Sequence, residues 1–344
     1  MHDCHPRASV VDTTAQIASI ARGDIEAAIQ LERPGRPDAP RAATRAIVDR
    51  LVEALDDEGS AARYAAGLRL LTRHTRDVHV IGGGYMNSDW NANLARLAVP
   101  RWAAAHGLPS AVTGVGLEPL TDGDAAFARE VADTIDAFSC RDTASRDAVG
   151  GRATLAPDDC FVNGLDGVYL DAAAALPDVM VCTQSDLVGD KRALLDTVLA
   201  VLARWNVAPG ARIGVVECIP YDSQDTFEML RAHGYAAELY PLQNMLDDGF
   251  PARAGQTWLS TRYHPHLLAA AIGARGSYIP VRPGYYDIKH DAVLRMGSRW
   301  TRCDIGTADI PEPGPGFADP SVRYAYRDRI RQLAAPLYGA HPGE

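Results

Sequence analysis

The feature that most constrains the fold is an alternation that begins at Asp77. Short apolar runs end in glycine-rich or polar turns, and a helical, alanine-rich segment follows most of them. This alternation is typical of a parallel sheet whose strands are joined by crossover helices. The predicted strands cover residues 78–81, 110–116, 137–140, 154–156, 179–182, 213–216, 236–240, 258–260 and 278–281. The predicted helices between them cover residues 91–106, 125–135, 191–205, 227–232 and 265–272. The sequence therefore predicts the α/β fold class.

The start of the chain has a different pattern. Residues 13–31 and 42–55 have helical periodicity, the proline-rich run at residues 33–37 interrupts it, and no strand is evident before residue 77. Periodicity is lost again between Gly164 and Asp178. We therefore predict three parts: an N-terminal Rossmann-like domain at residues 1–170 with an atypical helical start at 1–76, a C-terminal Rossmann-like domain at 171–310, and a tail at 311–344. The tail is expected to contain a helix at residues 327–333 and to pack back on the first domain.

Composition excludes several classes of function. With 34 Lys and Arg against 44 Asp and Glu, the chain carries a formal charge of −10, so it has no broad positive field for a nucleic acid. Its six cysteines are scattered without a C-x-x-C motif, which favours reduced and packed thiols. No apolar run reaches the length of a membrane helix, and no signal pattern precedes the domain, so we predict a cytoplasmic protein without a transmembrane segment.

A glycine run follows the first predicted strand. Gly82, Gly83 and Gly84 would let a ligand approach the backbone, and Asn87 just after them is a candidate ligand contact. The run is neither a dinucleotide fingerprint nor a phosphate-binding P-loop, which argues against a nicotinamide cofactor and against ATP hydrolysis. A tight turn, with Asn87 capping the following helix, explains the same residues equally well.

The segment after the strand at residues 258–260 carries more information. Arg262 and His264 are two residues apart in a stretch expected to be extended, so their side chains can point the same way. Pro265 suits the first turn of a helix, whose N-terminus adds hydrogen-bond donors and partial positive charge. The pattern indicates an anion pocket with a titratable group. A histidine that merely caps a helix is the alternative.

Two further cations follow strand ends. Lys289 comes after the strand at residues 278–281 and is expected at the same end of the same sheet as Arg262, although a solvated loop is also consistent with it. Arg141 comes after the strand at residues 137–140 in the other half of the chain. Arginines from both halves could hold one ligand, although an ion pair with a nearby carboxylate is the commoner role of such a residue.

Taken together, the ordered motifs resemble the polysaccharide pyruvyl transferases. The motifs are Ile81-Gly82-Gly83-Gly84-Tyr85, Gly114-Val115-Gly116-Leu117-Glu118-Pro119-Leu120, Cys140-Arg141-Asp142-Thr143-Ala144-Ser145, Ala156-Pro157-Asp158-Asp159, Arg262-Tyr263-His264 and Tyr286-Asp287-Ile288-Lys289. The resemblance runs from about Asp77 to Gly297. Members usually open with a strand and a glycine-rich G-N-x-G-D turn, and residues 1–76 contain no such element.

The resemblance implies a fold and an activity. It implies two Rossmann-like domains of the GT-B kind that face each other across a cleft and bind phosphoenolpyruvate between them. It also implies activity roles for Arg262, His264 and Arg141, and a saccharide acceptor, lipid-linked in some pathways. The expected reaction transfers the pyruvyl group to a sugar hydroxyl pair of a cell-surface glycan or its precursor, forms a ketal and releases phosphate, with no cofactor and no metal.

The residues suggest how the chemistry would be divided. The donor carries a carboxylate and a phosphate, so Arg141, Arg262 and Lys289 are the expected cationic contacts. His264 is the candidate general acid or base, and its spacing does not decide between the two roles. Two other functions stay open from the sequence: a GT-B glycosyltransferase that uses a nucleotide sugar, and a non-catalytic homologue that binds a glycan or an anion.

Overall fold

The computed structural model describes residues 5–32, 43–171, 175–184 and 186–338. The chain divides into two compact units: the first comprises Met1–Asp159 with Asp328–Glu344, and the second comprises Cys160–Arg327. The sequence places its boundary at residue 170, and the chain first passes from one unit to the other after Asp159.

The first unit begins with helices, as predicted. These elements are α1 (His5–Glu32), α2 (Thr44–Asp56), a 3-10 segment (Glu58–Tyr64) and α3 (Ala65–His74). Helix α2 buries Ile47, Leu51 and Leu55 on one face, because residues four apart in sequence lie above one another on a helix. The break predicted at residues 33–37 lies outside the described residues.

The sheet of the first unit has four parallel strands in the order β1-β2-β3-β4. They are β1 (Val78–Val80), β2 (Ser110–Val115), β3 (Ala137–Cys140) and β4 (Thr154–Leu155), and the helices between them are α4 (Asn91–Leu94), α5 (Ala98–Ala105), α6 (Asp122–Thr134) and α7 (Thr143–Val149). Every residue of β2 is buried, as expected for a central strand of a parallel sheet. Each connection steps one strand in the same direction, so right-handed crossovers place their helices on one face. In the described part of the chain no strand precedes β1.

The sheet of the second unit has six parallel strands. They are β5 (Val179–Cys182), β6 (Arg212–Val216), β7 (Ala236–Tyr240), β8 (Thr257–Ser260), β9 (Arg275–Tyr278) and β10 (Thr301–Arg302). The helices are α8 (Lys191–Arg204), α9 (Gln224–Ala232), α10 (Leu242–Asp248), α11 (Tyr263–Ala271) and α12 (Tyr286–Met296). The last helix, α13 (Val322–Tyr338), begins in the second unit, and its residues from Asp328 onward belong to the first. The spatial order β7-β6-β5-β8-β9-β10 corresponds to 3-2-1-4-5-6, the order of a doubly wound Rossmann sheet. The α/β class with two parallel sheets is thereby confirmed.

One predicted strand was wrong in its position. The strand expected at residues 278–281 is β9, which begins at Arg275 and ends at Tyr278. Position 276, inside β9, requires glycine, because a Cβ there would be 2.5 Å from the carbonyl oxygen of Trp258 and 2.7 Å from the Trp300 ring. Pro280 has no N–H to donate to a neighbouring strand, so the ladder stops before it.

Two composition-based expectations concern the whole chain. None of the five cysteines within the described ranges forms a disulfide, and three of them are buried. A search of the described helices finds none that is both apolar enough and long enough to cross a lipid bilayer.

Candidate functional site

The strand order of the second unit locates a candidate site. In a doubly wound sheet, ligands bind outside the carboxyl ends of the strands at the point where the strand order reverses. That point lies between β5 and β8, which are hydrogen-bonded neighbours. Gln184 follows β5, and Thr261 and Arg262 follow β8. Arg262 therefore lies at the position in the fold where a ligand is expected.

Arg262 is held by two carboxylates. It is the N-cap residue of α11, with an extended backbone, and its Nη2 donates to Asp186 Oδ1 at 2.6 Å and to Asp222 Oδ2. The Arg262 side chain is 14% exposed, Asp222 3% and Asp186 45%. Burial alone would lower the pKa of Arg262, but the hydrogen bond and charge of Asp222 outweigh it and raise the pKa above its usual value. The guanidinium is thus permanently charged and fixed in orientation.

Three buried polar atoms around this point have no hydrogen-bond partner among the described residues: Gln184 Oε1, Thr261 Oγ1 and Arg262 Nε. They come from the ends of two adjacent strands. Leaving a buried polar atom without a partner costs about 1–3 kcal/mol. A ligand that supplies one acceptor for each donor and one donor for the amide oxygen would recover that free energy.

Helix α12 brings two more groups to the same region. The Gln184 side-chain amide donates to the hydroxyl of Tyr286 at 2.9 Å. Burial raises the pKa of Tyr286, whereas the charge of Arg262 opposes this shift. The backbone carbonyl of Asp186, whose carboxylate pairs with Arg262, also accepts from the Gln184 amide at 2.8 Å. Lys289 Nζ lies 3.7 Å from the ring centroid of Tyr285 and 5.0 Å from that of Tyr286. The structure therefore brings Arg262 and Lys289 to neighbouring positions around Tyr286.

The predicted geometry of His264 was wrong. Helix α11 begins at Tyr263, so His264 lies in the helix and only Arg262 is extended. Each helical residue turns the chain by about 100°, so two side chains that are two positions apart on a helix point in different directions. Arg262 is half-buried, whereas His264 is exposed with its ring edge-on to Tyr263 at a centroid distance of 4.9 Å. His264 therefore lies exposed in the first turn of α11.

Arg141 belongs to the first unit and is engaged in a buried ion pair. Its Nη1 donates to Asp158 Oδ2 at 2.8 Å, and the two side chains are 3% and 6% exposed. The next residue, Asp142, caps α7 by accepting from the backbone N–H of Ser145 at 2.7 Å. The pairing with a carboxylate, which the sequence left open, is present and lies in the interior of the unit.

The glycine run forms a tight crossing against β2. A Cβ on Gly82 would lie 2.1 Å from the carbonyl oxygen of Gly114, so no larger residue fits there. The carbonyl of Gly83 accepts from Gly116 N–H at 2.9 Å. Asn87 is fully buried, and its Oδ1 accepts from the backbone N–H groups at the start of the 3-10 segment that follows it. Asn87 therefore serves as a cap, one of the two roles that the sequence left open.

Asp159 connects this turn to a hydrogen-bond network. Its Oδ2 accepts from Gly82 N–H and from Thr113 Oγ1, each at 2.8 Å. Thr113 Oγ1 also lies 2.8 Å from His79 Nε2, whose other ring nitrogen is 3.0 Å from the hydroxyl of Tyr338. Burial raises the pKa of Asp159 to about 6, against the opposing effect of the Gly82 N–H. The carboxyl therefore ionises at a cost to the folded state.

Replacing Asp159 with asparagine should change how stability depends on pH. A carboxyl whose folded pKa exceeds its unfolded value of 3.8 binds more protons when folded, so its contribution falls as pH rises from about 4 to about 6. Relative to wild type, Asp159→Asn should gain about 1–3 kcal/mol in free energy of unfolding over this interval. Urea unfolding of both proteins at pH 4.5 and pH 7.5 measures the gain. Parallel stability profiles for the two proteins would contradict it.

A cavity of about 680 Å³ also opens in the first unit. It lies between the start of α2 and the start of α6, and its charged lining residues are Arg45, Asp89, Asp124 and Glu130. Arg45 is paired with Glu130 at 3.0 Å. This lining carries net negative charge, which disfavours an anion, so the switch point of the second unit is the better anion site.

Sequence reasoning missed several residues of the site. Thr261 could have been found because it directly follows a predicted strand, and Gln184 because it lies two residues beyond one. Tyr286 lies in one of the family-like motifs, but only the tertiary structure places it on Gln184, and only the tertiary structure brings Asp222 to Arg262. Among the described residues, no three metal-ligating side chains are grouped closely enough to hold a metal ion.

Comparisons with known proteins identify a family. The family model described as "Polysaccharide pyruvyl transferase" matches residues 28–216, more than half of the chain. The match ends with β6, so Arg262, His264 and Lys289 lie beyond it.

Two solved structures are among those similar to this chain. UDP-GlcNAc 2-epimerase from Neisseria meningitidis, bound to UDP-GlcNAc, has a TM-score of 0.42 and 9% identity over 87% of this chain and 76% of that one. Os79 from O. sativa, in complex with UDP and deoxynivalenol-3-glucoside, has a TM-score of 0.39 and 13% identity over 88% of this chain and 82% of the Os79 chain. A search of curated protein sequences found no significant match.

Proposed function

Because the chain belongs to the polysaccharide pyruvyl transferase family, we propose that it transfers the pyruvyl group of phosphoenolpyruvate to two hydroxyls of a saccharide. The product is a ketal, and phosphate is released. Family membership points to a transferase with a saccharide acceptor. The observation that carries the finer proposal is the fixed guanidinium of Arg262 among unpartnered polar atoms at the switch point of the second unit.

The site offers complementary partners to this donor. Phosphoenolpyruvate carries a carboxylate and a phosphate on one enol carbon, and both groups accept hydrogen bonds from guanidinium and hydroxyl donors. Arg262 Nε and Thr261 Oγ1 are buried donors without partners among the described residues. Lys289 Nζ lies 5.0 Å from the ring centroid of Tyr286, the residue that accepts from the Gln184 amide. Gln184 Oε1 requires a donor, which a saccharide hydroxyl can supply.

The two aspartates on Arg262 impose a condition on anion binding. Together they outweigh its single charge, so a trianion would be repelled if both remained in place. Asp186 is half-exposed and can turn into solvent at little cost, whereas Asp222 is buried and cannot. We therefore expect the donor to replace Asp186 on Arg262, with Asp222 keeping the guanidinium in position.

The reaction follows from the structure of the donor. A proton is delivered to the methylene carbon, and the carbon that bears the phosphate becomes electrophilic. One sugar hydroxyl attacks it and loses its proton, the C–O bond to phosphate breaks, and the second hydroxyl closes the ketal. The two hydroxyl protons end on the new methyl group and on phosphate. His264 is the candidate for one proton transfer, because it is an exposed imidazole two residues from Arg262 and such a group can exchange protons with solvent.

Phosphate release from phosphoenolpyruvate, assayed with a panel of saccharides, tests the proposal. We expect saturable release that depends on the acceptor. His264→Ala should lower kcat by about 10²–10⁴-fold, the usual contribution of a general acid or base. His233→Ala is the matched control, since His233 is also exposed at a helix end but lies after α9, and it should leave kcat unchanged.

Ligand-induced shifts in melting temperature separate the other functions, because a ligand stabilises the state it binds. Stabilisation by a nucleotide sugar, without phosphate release from phosphoenolpyruvate, would identify a glycosyltransferase instead. Stabilisation by a glycan or by phosphoenolpyruvate, with no turnover for any acceptor, would identify a binding protein.

A further inference from the structure

Two histidines outside the proposed chemistry meet in the interior of the second unit. His266 on α11 and His290 on α12 are fully buried, and their Nδ1 atoms are 2.9 Å apart. The other ring nitrogen of His266, Nε2, lies 2.8 Å from Ser298 Oγ. Ser298 Oγ in turn accepts from the backbone N–H of Trp300 at 3.1 Å. The two helices are therefore joined by a polar contact inside an otherwise apolar interface.

The network assigns one direction to these hydrogen bonds. Burial lowers the pKa of both histidines, that of His290 to about 3, so both rings are neutral and each carries one N–H. The Nδ1 contact needs one N–H and one lone pair. The backbone of Thr261 acts to raise the pKa of His290, and His290 Nε2 makes no hydrogen bond among the described residues, so we assign the His290 proton to Nε2. Hence His266 Nδ1–H donates to His290 Nδ1, and Ser298 donates to His266 Nε2.

Aromatic rings restrict the orientation of both imidazoles. The His266 ring is stacked on Trp300 at a centroid distance of 4.4 Å and on Tyr278 at 5.4 Å. The His290 ring is stacked on Tyr278 at 4.5 Å. Because stacked neighbours resist rotation of a ring out of its plane, the Nδ1–Nδ1 contact holds the two helices in one register.

The pair lies one helical turn from the site residues on each helix. His266 N–H donates to the carbonyl of Arg262 at 3.3 Å, and His290 follows Tyr286 by one turn and adjoins Lys289. On the premise of the proposed function, we propose that His266 and His290 are a positioning pair. Their hydrogen bond sets the first turn of α11 against that of α12, and so fixes the spacing of Arg262 from Tyr286 and Lys289 that the donor requires.

A polar pair suits this role better than an apolar one. Two leucines could fill the same volume, but apolar contacts are non-directional and tolerate sliding, whereas a hydrogen bond loses strength steeply when its angle changes. Buried polar pairs that fix register are known in helix–helix contacts.

Matched amide substitutions test the pair. The asparagine amide nitrogen lies close to the position of imidazole Nδ1, and that of glutamine close to Nε2. His266→Asn keeps a donor directed at His290, whereas His266→Gln reaches only Ser298, and His290→Leu removes the partner. We expect His266→Asn to bind phosphoenolpyruvate within about threefold of wild type. The other two should raise Kd about tenfold, in the range of coupling between contacting residues, and should raise KM more than they lower kcat.

A cavity variant elsewhere controls for lost stability. Val198→Ala removes buried volume from α8, away from both helices, and should lower the melting temperature without changing the Kd of phosphoenolpyruvate. The positioning role would be overturned by equal losses of affinity in His266→Asn and His266→Gln, or by the same loss in Val198→Ala. It would also be overturned if nuclear magnetic resonance of ¹⁵N-histidine-labelled protein showed no exchange-protected Nδ1–H on His266.

The outcomes distinguish this inference from the proposed function. Calorimetry with phosphoenolpyruvate alone needs no acceptor. If wild type binds the donor but releases no phosphate with any saccharide, the proposed function fails and the Kd series still decides the positioning role. If wild type binds no phosphoenolpyruvate, both proposals are overturned.

Discussion

Arg262→Ala should lower kcat/KM for phosphoenolpyruvate by about 10²–10³-fold, equivalent to about 3–4 kcal/mol. The substitution removes a fixed charge and the unpartnered Nε donor, and it leaves Asp186 and Asp222 to repel the donor. Steady-state phosphate release measures the effect. Arg204→Ala is the control, because Arg204 is exposed at the end of α8 and pairs only with Glu312 among the contacts described, and it should leave kcat/KM unchanged.

A second variant separates chemistry from folding. Without Arg262 the buried Asp222 has lost its charge partner, which destabilises the second unit by about 3–5 kcal/mol. Adding Asp222→Asn removes that buried charge, so the double variant should regain stability and remain inactive. Wild-type activity in the stable double variant would show that Arg262 serves only to neutralise Asp222.

Arg141→Ala should destabilise the first unit by about 3–5 kcal/mol, because it leaves the nearly buried Asp158 without its charge partner. The side chain also packs closely on Gly116, the residue after β2, since a Cβ there would lie 3.0 Å from Arg141 Nε. Urea unfolding, compared with that of Arg152→Ala at an exposed position on the same unit, measures the loss. A loss below about 1 kcal/mol would contradict the assignment of this ion pair to the interior.

A double variant that restores stability can then show whether Arg141 also binds the donor. Replacing both partners of a buried ion pair with apolar residues of similar volume is often neutral or stabilising, so Arg141→Met with Asp158→Leu should restore stability. If Arg141 also binds the donor, as the family resemblance implies, the stable double variant lacks activity. A stable and fully active double variant would assign Arg141 to the fold alone.

Most of the strands and helices could be predicted from local pattern. The strands at residues 137–140, 179–182 and 236–240 have the bounds that the sequence predicts, because each is a short run that lies between turn or helix signals. Helix α12 was missed, because Tyr285 to His290 has no capping residue and no clear period. The error mattered for the site, since α12 is the element that positions Tyr286 and Lys289.

The sequence by itself determined the α/β class and the family, because both depend on residue types in chain order. Only the tertiary structure decided the partners: Asp222 on Arg262, Asp158 on Arg141, and His290 on His266. These contacts join residues far apart in the chain. Strand order, helix register and burial bring them together, and no local pattern in the sequence records those distances.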